Sequence, residues 1–293
     1  MQLLEGKVLV AEDGSDNRKL IDYLLRGYGI EPDIASNGIE AIDMVTEAIA
    51  EAEPYDLVLM DMQMPEMDGY EATRELRRRN VLSASGKRMP IVSLTAAALD
   101  GDRIRCLNAG CDKFLAKPID KLELQQVLSE YLSAAADADE PTMQEVIMNT
   151  HANAFEQSDE VLRSTYDGDE SMQELIDIYT SELPGYVAQL IRLQRNAVSE
   201  PSAALDLRRL CHQLKGSGGG YGFAAITATA AKAETAAAKA GFKSESSVIK
   251  AMNEAVEQLI AVMRRIENYD QAAEAEALDG HQDDSKRDKN EAA

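Results

Sequence analysis

Short apolar runs alternate with amphipathic segments over the first 132 residues. Five runs predict strands: KVLVA (7–11), EPDIA (31–35), YDLVLMD (55–61), MPIVSLT (89–95) and DKFLAK (112–117). Between these runs and after the last, apolar residues recur every three or four positions, which predicts five helices. Strands that alternate with helices are typical of a parallel sheet covered on both faces. We therefore expect an α/β doubly wound, flavodoxin-like domain with five parallel strands over residues 1–132.

The later part of the chain, residues 170–268, keeps a helical period throughout. Four amphipathic segments in about 100 residues predict an all-α four-helix bundle. Pro184 lies inside the first of these segments, and we expect it to kink that helix rather than end it. Between the two domains we predict a linker over residues 133–169, and after the bundle a disordered acidic tail over residues 269–293.

Composition narrows the range of partners. The 293 residues carry a net charge of −22, so the basic surface that a nucleic-acid partner needs is not expected. Apolar runs stay well short of the roughly 18 residues of a membrane span, so we expect no membrane insertion.

Cys106, Cys111 and Cys211 form no CxxC pair. We interpret them as reduced thiols of a cytoplasmic protein.

Polar side chains follow the predicted strands at the point where each strand ends. They are Glu12 and Asp13 after the first strand, Asp61 in the third, Thr95 in the fourth and Lys117 in the fifth. Because the carboxyl ends of parallel strands form the ligand-binding edge of an open sheet, we expect them to converge. Neighbouring carboxylates repel each other unless a cation lies among them, and Mg²⁺ suits oxygen ligands beside phosphate. The set fits an aspartyl phosphate: Asp61 would attack phosphorus, while Lys117 and Mg²⁺ neutralise its oxygens.

A second candidate site is the histidine of HQLKGSGGGYGF (212–223). On a helical projection His212 points away from the predicted core, toward solvent, and Lys215 lies beside it. Gly216 and Gly219 fall on the same outward side. Imidazole is a competent nucleophile near neutral pH, and Lys215 could then pair with the phosphoryl group. The missing side chains would let a partner approach His212.

Residues 5–132 resemble the receiver domains of two-component response regulators. The motifs are VLVAEDGSDNRKL, DLVLMDMQMPEMDGYEATRELR, PIVSLTA and GCDKFLAKP. The resemblance implies phosphorylation of Asp61 and a cis peptide bond between Lys117 and Pro118. It also implies a Mg²⁺ site formed by the acidic residues and one backbone carbonyl: Glu12, Asp13, Asp61 and Gln63. Thr95 and Phe114 match the positions of the switch hydroxyl and the switch aromatic, and Lys117 matches the lysine of the family.

Residues 170–268 resemble histidine-containing phosphotransfer (HPt) domains, through the motif H-x-L-K-G and its helical context. The resemblance implies that His212 is the phosphorylated histidine and that Lys215 and Gly216 support the transfer. Gly222 matches the glycine that ends the helix.

We therefore expect a phosphorelay protein that carries phosphoryl groups on Asp61 and His212. A sensor histidine kinase would donate, and other receiver domains would dock at the HPt helix face. No ATP-binding motif is recognised, so no autonomous ATP-dependent activity is expected. Two alternatives stay open. The chain could be the C-terminal receiver–HPt part of a hybrid sensor histidine kinase, or a phosphorylation-switched scaffold without relay through His212.

Overall fold

The computed structural model describes residues 3–95, 100–134, 161–197, 201–240, 246–266, 268–271, 273–275 and 278. The chain divides into two compact units, Met1–Asn153 and Ala154–Ala293. Most of the predicted linker, residues 135–160, lies outside the described residues. None of the helices in the described ranges combines the length and the apolar character that a membrane span requires.

The first unit is built on a parallel sheet of five strands in the order β3-β2-β4-β5-β6. Its strands are β2 (Val8–Ala11), β3 (Asp33–Ala35), β4 (Leu57–Asp61), β5 (Ile91–Thr95) and β6 (Lys113–Ala116). The helices that connect or follow them are α1 (Ser15–Gly27), α2 (Gly38–Ala50), α3 (Gly69–Arg78), α4 (Asp100–Ala109) and α5 (Lys121–Tyr131). All residues of β2, β4 and β5 are buried, as expected for strands with helices on both faces. The predicted doubly wound fold is confirmed.

The register of the strands brings their carboxyl ends to one edge. Ala11 pairs with Met60, Asp61 with Leu94, and Thr95 with Ala116. The residues that follow Ala11 and Ala116, among them Glu12 and Lys117, therefore reach the same rim as Asp61.

Short polar side chains begin three of the helices in this unit. Asn37 accepts a hydrogen bond from the backbone N–H of Glu40, and Asp68 and Asp120 do the same at α3 and α5. Such caps satisfy N–H groups that have no partner inside the helix. Helix α1 differs, because the residue that precedes it, Gly14, provides no side-chain cap.

A small antiparallel ladder closes the first unit. Strand β1 (Leu4–Glu5) pairs with β7 (Ser133–Ala134), with Leu4 opposite Ala134. We predicted that the linker begins at residue 133, and the ladder corrects this boundary, because residues 133 and 134 belong to the first unit. Two residues are too few to produce a recognisable strand pattern in the sequence.

The second unit contains four helices: α6 (Glu170–Asn196), α7 (Pro201–Gly220), α8 (Ala224–Ala240) and α9 (Ser246–Met263). Helix α6 continues through Pro184. The large buried side chains of the unit include Tyr179, Tyr221 and Leu259, and the rings of the two tyrosines stack with centroids 4.3 Å apart. The predicted four-helix bundle is confirmed.

The segment before α6 also belongs to the second unit, although we predicted a linker up to residue 169. Leu162 forms a bridge with Ile266. The buried Ser164 donates from Oγ to the backbone oxygen of Tyr221 at 2.8 Å. These contacts connect the segment to the ends of α9 and α7. They depend on single hydrogen bonds rather than on an apolar period, so a search for periodicity does not detect them.

The predicted disordered tail also needs correction where it is described. Glu274 is buried, and it accepts hydrogen bonds from Arg264 and from the Tyr269 hydroxyl, the latter at 2.6 Å. The ion pair and the hydroxyl compensate for the burial of the Glu274 carboxylate. Residues 279–293 of the predicted tail lie outside the described residues.

Helix α7 ends as its glycines predict. Gly222 has a φ of +82°, the left-handed conformation that glycine adopts without steric cost. The N–H of Phe223 donates to the oxygen of Gly218 at 2.7 Å, and the N–H of Gly222 donates to that of Gly219 at 3.0 Å. These two bonds form a Schellman motif. A Cβ at Gly222 would lie 2.3 Å from Ser164 Oγ.

We expect Gly222→Ala to lower the free energy of unfolding of the second unit by about 2–4 kcal/mol, because left-handed strain and a steric clash add. Gly168→Ala is a matched control, since Gly168 has a φ of +87° but no heavy atom within 4 Å of an added Cβ. The control should cost about 1–2 kcal/mol from strain alone. Urea unfolding followed by circular dichroism measures both, and equal costs would contradict the role of the clash.

Candidate functional site

Three carboxylates meet at the carboxyl edge of the sheet. Glu12 and Asp13 follow β2 and Asp61 ends β4, and one oxygen from each lies within 4.8 Å of the others. The backbone N–H of Gln63 donates to Asp61 Oδ1 at 3.1 Å, so the loop after β4 folds back onto the carboxylate. This group of oxygens could hold a divalent cation.

Lys117 crosses from β6 into the cluster. Its Nζ donates to Glu12 Oε2 at 2.5 Å and to Asp61 Oδ2 at 2.7 Å, and all three side chains are at most 3% exposed. Burial, reinforced by the charge of Asp61, raises the pKa of Glu12 to about 7 despite Lys117. Burial lowers the pKa of Lys117, but the two carboxylates outweigh that effect and raise it. With both carboxylates ionised, the buried group has one uncompensated negative charge, which a cation would neutralise.

The remaining residues predicted for this site lie along the same edge. Thr95 ends β5 and is buried, and its backbone oxygen accepts the N–H of Lys117 at 2.7 Å. Phe114 lies in β6 and is half-buried. The Lys117–Pro118 bond is cis, as expected. The structure therefore brings Lys117 to the carboxylates and Thr95 to the same edge of the sheet, and it leaves Phe114 in β6, three residues before Lys117.

We predicted that His212 points toward solvent, and this prediction is wrong. His212 lies on α7, but its side chain is covered. The residue is 8% exposed, and its Nδ1 lies 3.0 Å from Oε1 of Glu234 on α8. Helix α8 lies close to α7 at this point. A Cβ added at Gly218 would lie only 2.8 Å from Cβ of Ile226. A helical projection considers one helix alone, and it could not show that α8 covers this side of α7.

The sequence did not identify Glu234 as a site residue. It accepts from Lys215 Nζ at 3.0 Å through Oε2, while Oε1 contacts His212. Burial raises the pKa of Glu234, but the hydrogen bond and charge of His212, together with Lys215, lower it to about 2. Glu234 is the only acidic residue in the alanine-rich α8. A single acidic residue among alanines was the signal that the sequence offered.

The glycines after His212 are part of the helix. Helix α7 continues through Gly216 to Gly220. We predicted that Gly216 and Gly219 lie on the outward side, but Gly216 is buried and Gly219 is half-buried. Gly218 faces Ile226 of α8.

Comparison with known proteins identifies two domains. The profile of the response regulator receiver domain matches residues 8–129, and the profile of the Hpt domain matches residues 174–269. The chain therefore contains a response-regulator receiver domain and an Hpt domain.

Several histidine kinases are similar to part of this chain. The osmosensing histidine protein kinase SLN1 of Saccharomyces cerevisiae is 40% identical over 129 residues, 44% of this chain and 10% of that protein. Histidine kinase 1 of Arabidopsis thaliana is 48% identical over 156 residues, 43% of this chain and 13% of that protein. The chain thus spans only a small part of the length of these curated relatives.

Among solved structures, the receiver domain of a sensor histidine kinase from Pseudomonas aeruginosa is 40% identical. The match covers 43% of this chain and 96% of that one, with a TM-score of 0.37. That structure has a magnesium ion coordinated in its active-site cleft.

The lowered pKa of Glu234 predicts a pH-dependent stability. A carboxyl with a lowered pKa in the folded state stabilises the fold above its ordinary pKa of 4.5, and this contribution is lost as the pH falls toward about 2. We expect a loss on the order of 3 kcal/mol from this group between pH 6 and pH 2. Urea unfolding of Glu234→Gln across this window should show a correspondingly weaker dependence.

The exposed Glu257 on α9 offers a matched control. Glu257→Gln should leave the pH dependence of unfolding close to that of the unchanged chain. If the two variants gave the same profile, Glu234 would not be the stabilising carboxylate that its contacts indicate.

Proposed function

We propose that this chain is a phosphorelay intermediate, which accepts a phosphoryl group on Asp61 and passes phosphoryl groups to or from receiver aspartates through His212. The observation that carries the proposal is the buried contact of Lys117 with both Asp61 and Glu12. This arrangement places a fixed positive charge at a carboxylate that can act as a nucleophile.

At the receiver site, a carboxylate oxygen of Asp61 would attack the phosphorus of a phosphohistidine donor. The P–N bond breaks, the electron pair stays on the donor imidazole, and an acyl phosphate forms on Asp61. Lys117 and Thr95 would then contact the phosphoryl oxygens, and Phe114 would respond with Thr95 as the switch pair. Glu12, Asp13, Asp61 and the carbonyl of Gln63 would hold Mg²⁺, which neutralises negative charge on those oxygens.

At the second site, Glu234 defines which nitrogen of His212 reacts. An ionised carboxylate only accepts hydrogen bonds, so the contact with Glu234 Oε1 requires a proton on Nδ1. The lone pair of the neutral ring is then on Nε2, which would attack the acyl phosphate of a receiver. The resulting positive ring stays paired with Glu234. Lys215 would exchange its contact with Glu234 for the phosphoryl group, and Gly216 would leave room for the incoming domain.

The proposal includes the partners and the location. A sensor histidine kinase would be the donor, and other receiver domains would dock at His212. Cytoplasmic location is part of the proposal, supported by three free and buried cysteines, Cys106, Cys111 and Cys211. The chain as part of a hybrid sensor kinase is a second candidate, favoured by relatives that carry the name hybrid signal transduction histidine kinase. A phosphorylation-switched scaffold without relay is the remaining alternative, in which the contacts of His212 would only stabilise the bundle.

Asp61→Asn should abolish labelling of the receiver domain by a small phosphodonor such as acetyl phosphate with Mg²⁺, because an amide oxygen is too weak a nucleophile to form a stable phosphoryl adduct. Autoradiography of the labelled chain measures the effect. Asp68→Asn is the matched control, since Asp68 caps α3 and asparagine caps equally well. Full labelling of the Asp61 variant would refute the assignment.

His212→Gln should keep labelling on Asp61 but block all transfer that involves the Hpt domain, because the nucleophilic nitrogen is gone. The measurement is phosphotransfer profiling, in which the purified chain is incubated with candidate kinases and receivers and the label is followed over time. His151→Gln should behave as the unchanged chain. Transfer that is unaltered in the His212 variant would favour the scaffold.

A further inference from the structure

We propose that Asn17 is a positioning residue for the metal site: it holds one oxygen of Glu12 so that the other faces the cation. This inference rests on the proposed Mg²⁺ site. Asn17 lies in the first turn of α1, is 6% exposed, and is not among the residues that the sequence motifs assign to the site.

The two oxygens of Glu12 have separate partners. Oε1 accepts the side-chain N–H of Asn17 at 2.8 Å and the backbone N–H of Gly14 at 3.3 Å. Oε2 accepts Lys117 Nζ at 2.5 Å. The carboxylate is therefore fixed from one side by α1, and its other oxygen is directed to the side where Asp61 lies.

The start of α1 lacks a side-chain cap, but its residues are well placed to bind the Glu12 carboxylate. Gly14 provides no side-chain cap, and a Cβ there would lie 3.0 Å from Glu12 Oε1 and 3.2 Å from Asn17 Nδ2. Asparagine is unfavourable inside helices, and burial of its amide needs a partner. A glycine at the capping position and a buried asparagine inside the helix are both explained if Gly14 and Asn17 bind Glu12. Residues that are unfavourable for local structure occur most often where function requires them.

A glutamate needs this support more than an aspartate would. Its side chain has one more rotatable bond, and ordering it when a cation binds costs conformational entropy. Hydrogen bonds that orient a metal ligand in advance reduce that cost. The main chain of the acidic pair has its own restraint, since Arg18 Nη1 donates to the backbone oxygens of Glu12 at 3.0 Å and Asp13 at 2.9 Å. Arg18 thus fixes the backbone, and Asn17 fixes the side chain.

The test is calorimetric titration of the full-length chain with Mg²⁺, without any phosphodonor. Asn17→Leu keeps the branched shape of the side chain and removes the donor, and it should raise the Kd for Mg²⁺ about 10-fold. Asn37→Leu removes the cap of α2 and should leave the Kd unchanged. An unchanged Kd in Asn17→Leu, with a lower melting temperature in EDTA, would make Asn17 a structural residue and overturn the inference.

A double-mutant cycle with Glu12→Asp separates positioning from general damage. The shorter carboxylate withdraws from Asn17, so adding Asn17→Leu to Glu12→Asp should change the Kd less than about 2-fold, because the two residues act as a pair. Independent 10-fold effects in both backgrounds would contradict the inference. If Asn17→Leu does not fold, Asn17→Ser provides the same test, since serine is too short to reach Glu12. Absence of Mg²⁺ binding by the unchanged chain would instead overturn the metal site itself, and this inference with it.

Discussion

The contact of Lys117 with Glu12 and Asp61 is the interaction on which the receiver site depends. It joins the ends of β2, β4 and β6 through a buried ammonium and two buried carboxylates. Removing one partner would leave an uncompensated buried charge, so the strand register and the site constrain each other. The same geometry leaves excess negative charge among oxygens that a cation can bind. The fold thus supports a site whose excess negative charge a cation could neutralise.

The Hpt domain uses a related arrangement on a different fold. Glu234 holds both His212 and Lys215, so a lysine is again paired with a carboxylate before a phosphoryl group arrives. In both domains the proposed transfer would require the lysine to exchange or share its partner. A lysine that is already held costs less ordering entropy when a phosphoryl group arrives. In the proposed function the paired carboxylate is also the nucleophile of the receiver domain, whereas in the bundle it acts through the ring of His212.

Much of this organisation could be predicted from the sequence, because parallel strands leave a periodic apolar pattern and their ends meet at one edge. Asp61, Glu12 and Lys117 follow from that rule. Glu234 could not be placed, since the contact between α7 and α8 depends on Gly218 meeting Ile226. The partners of Ser164 and of Asn17 could not be predicted for a similar reason. A single hydrogen bond to a helix end or to a carboxylate leaves no periodic pattern in the sequence. Tertiary contacts therefore determine what the sequence pattern leaves open.

The most direct measurement is ³¹P NMR of the full-length chain charged with a small phosphodonor, with and without Mg²⁺. The account predicts two protein-bound signals, an acyl phosphate that requires Mg²⁺ and a phosphoramidate that appears after it. The acyl phosphate should disappear on treatment with hydroxylamine, and the phosphoramidate should disappear in acid. An acyl phosphate alone at every time, also after addition of phosphorylated receiver domains, would contradict a relay through His212.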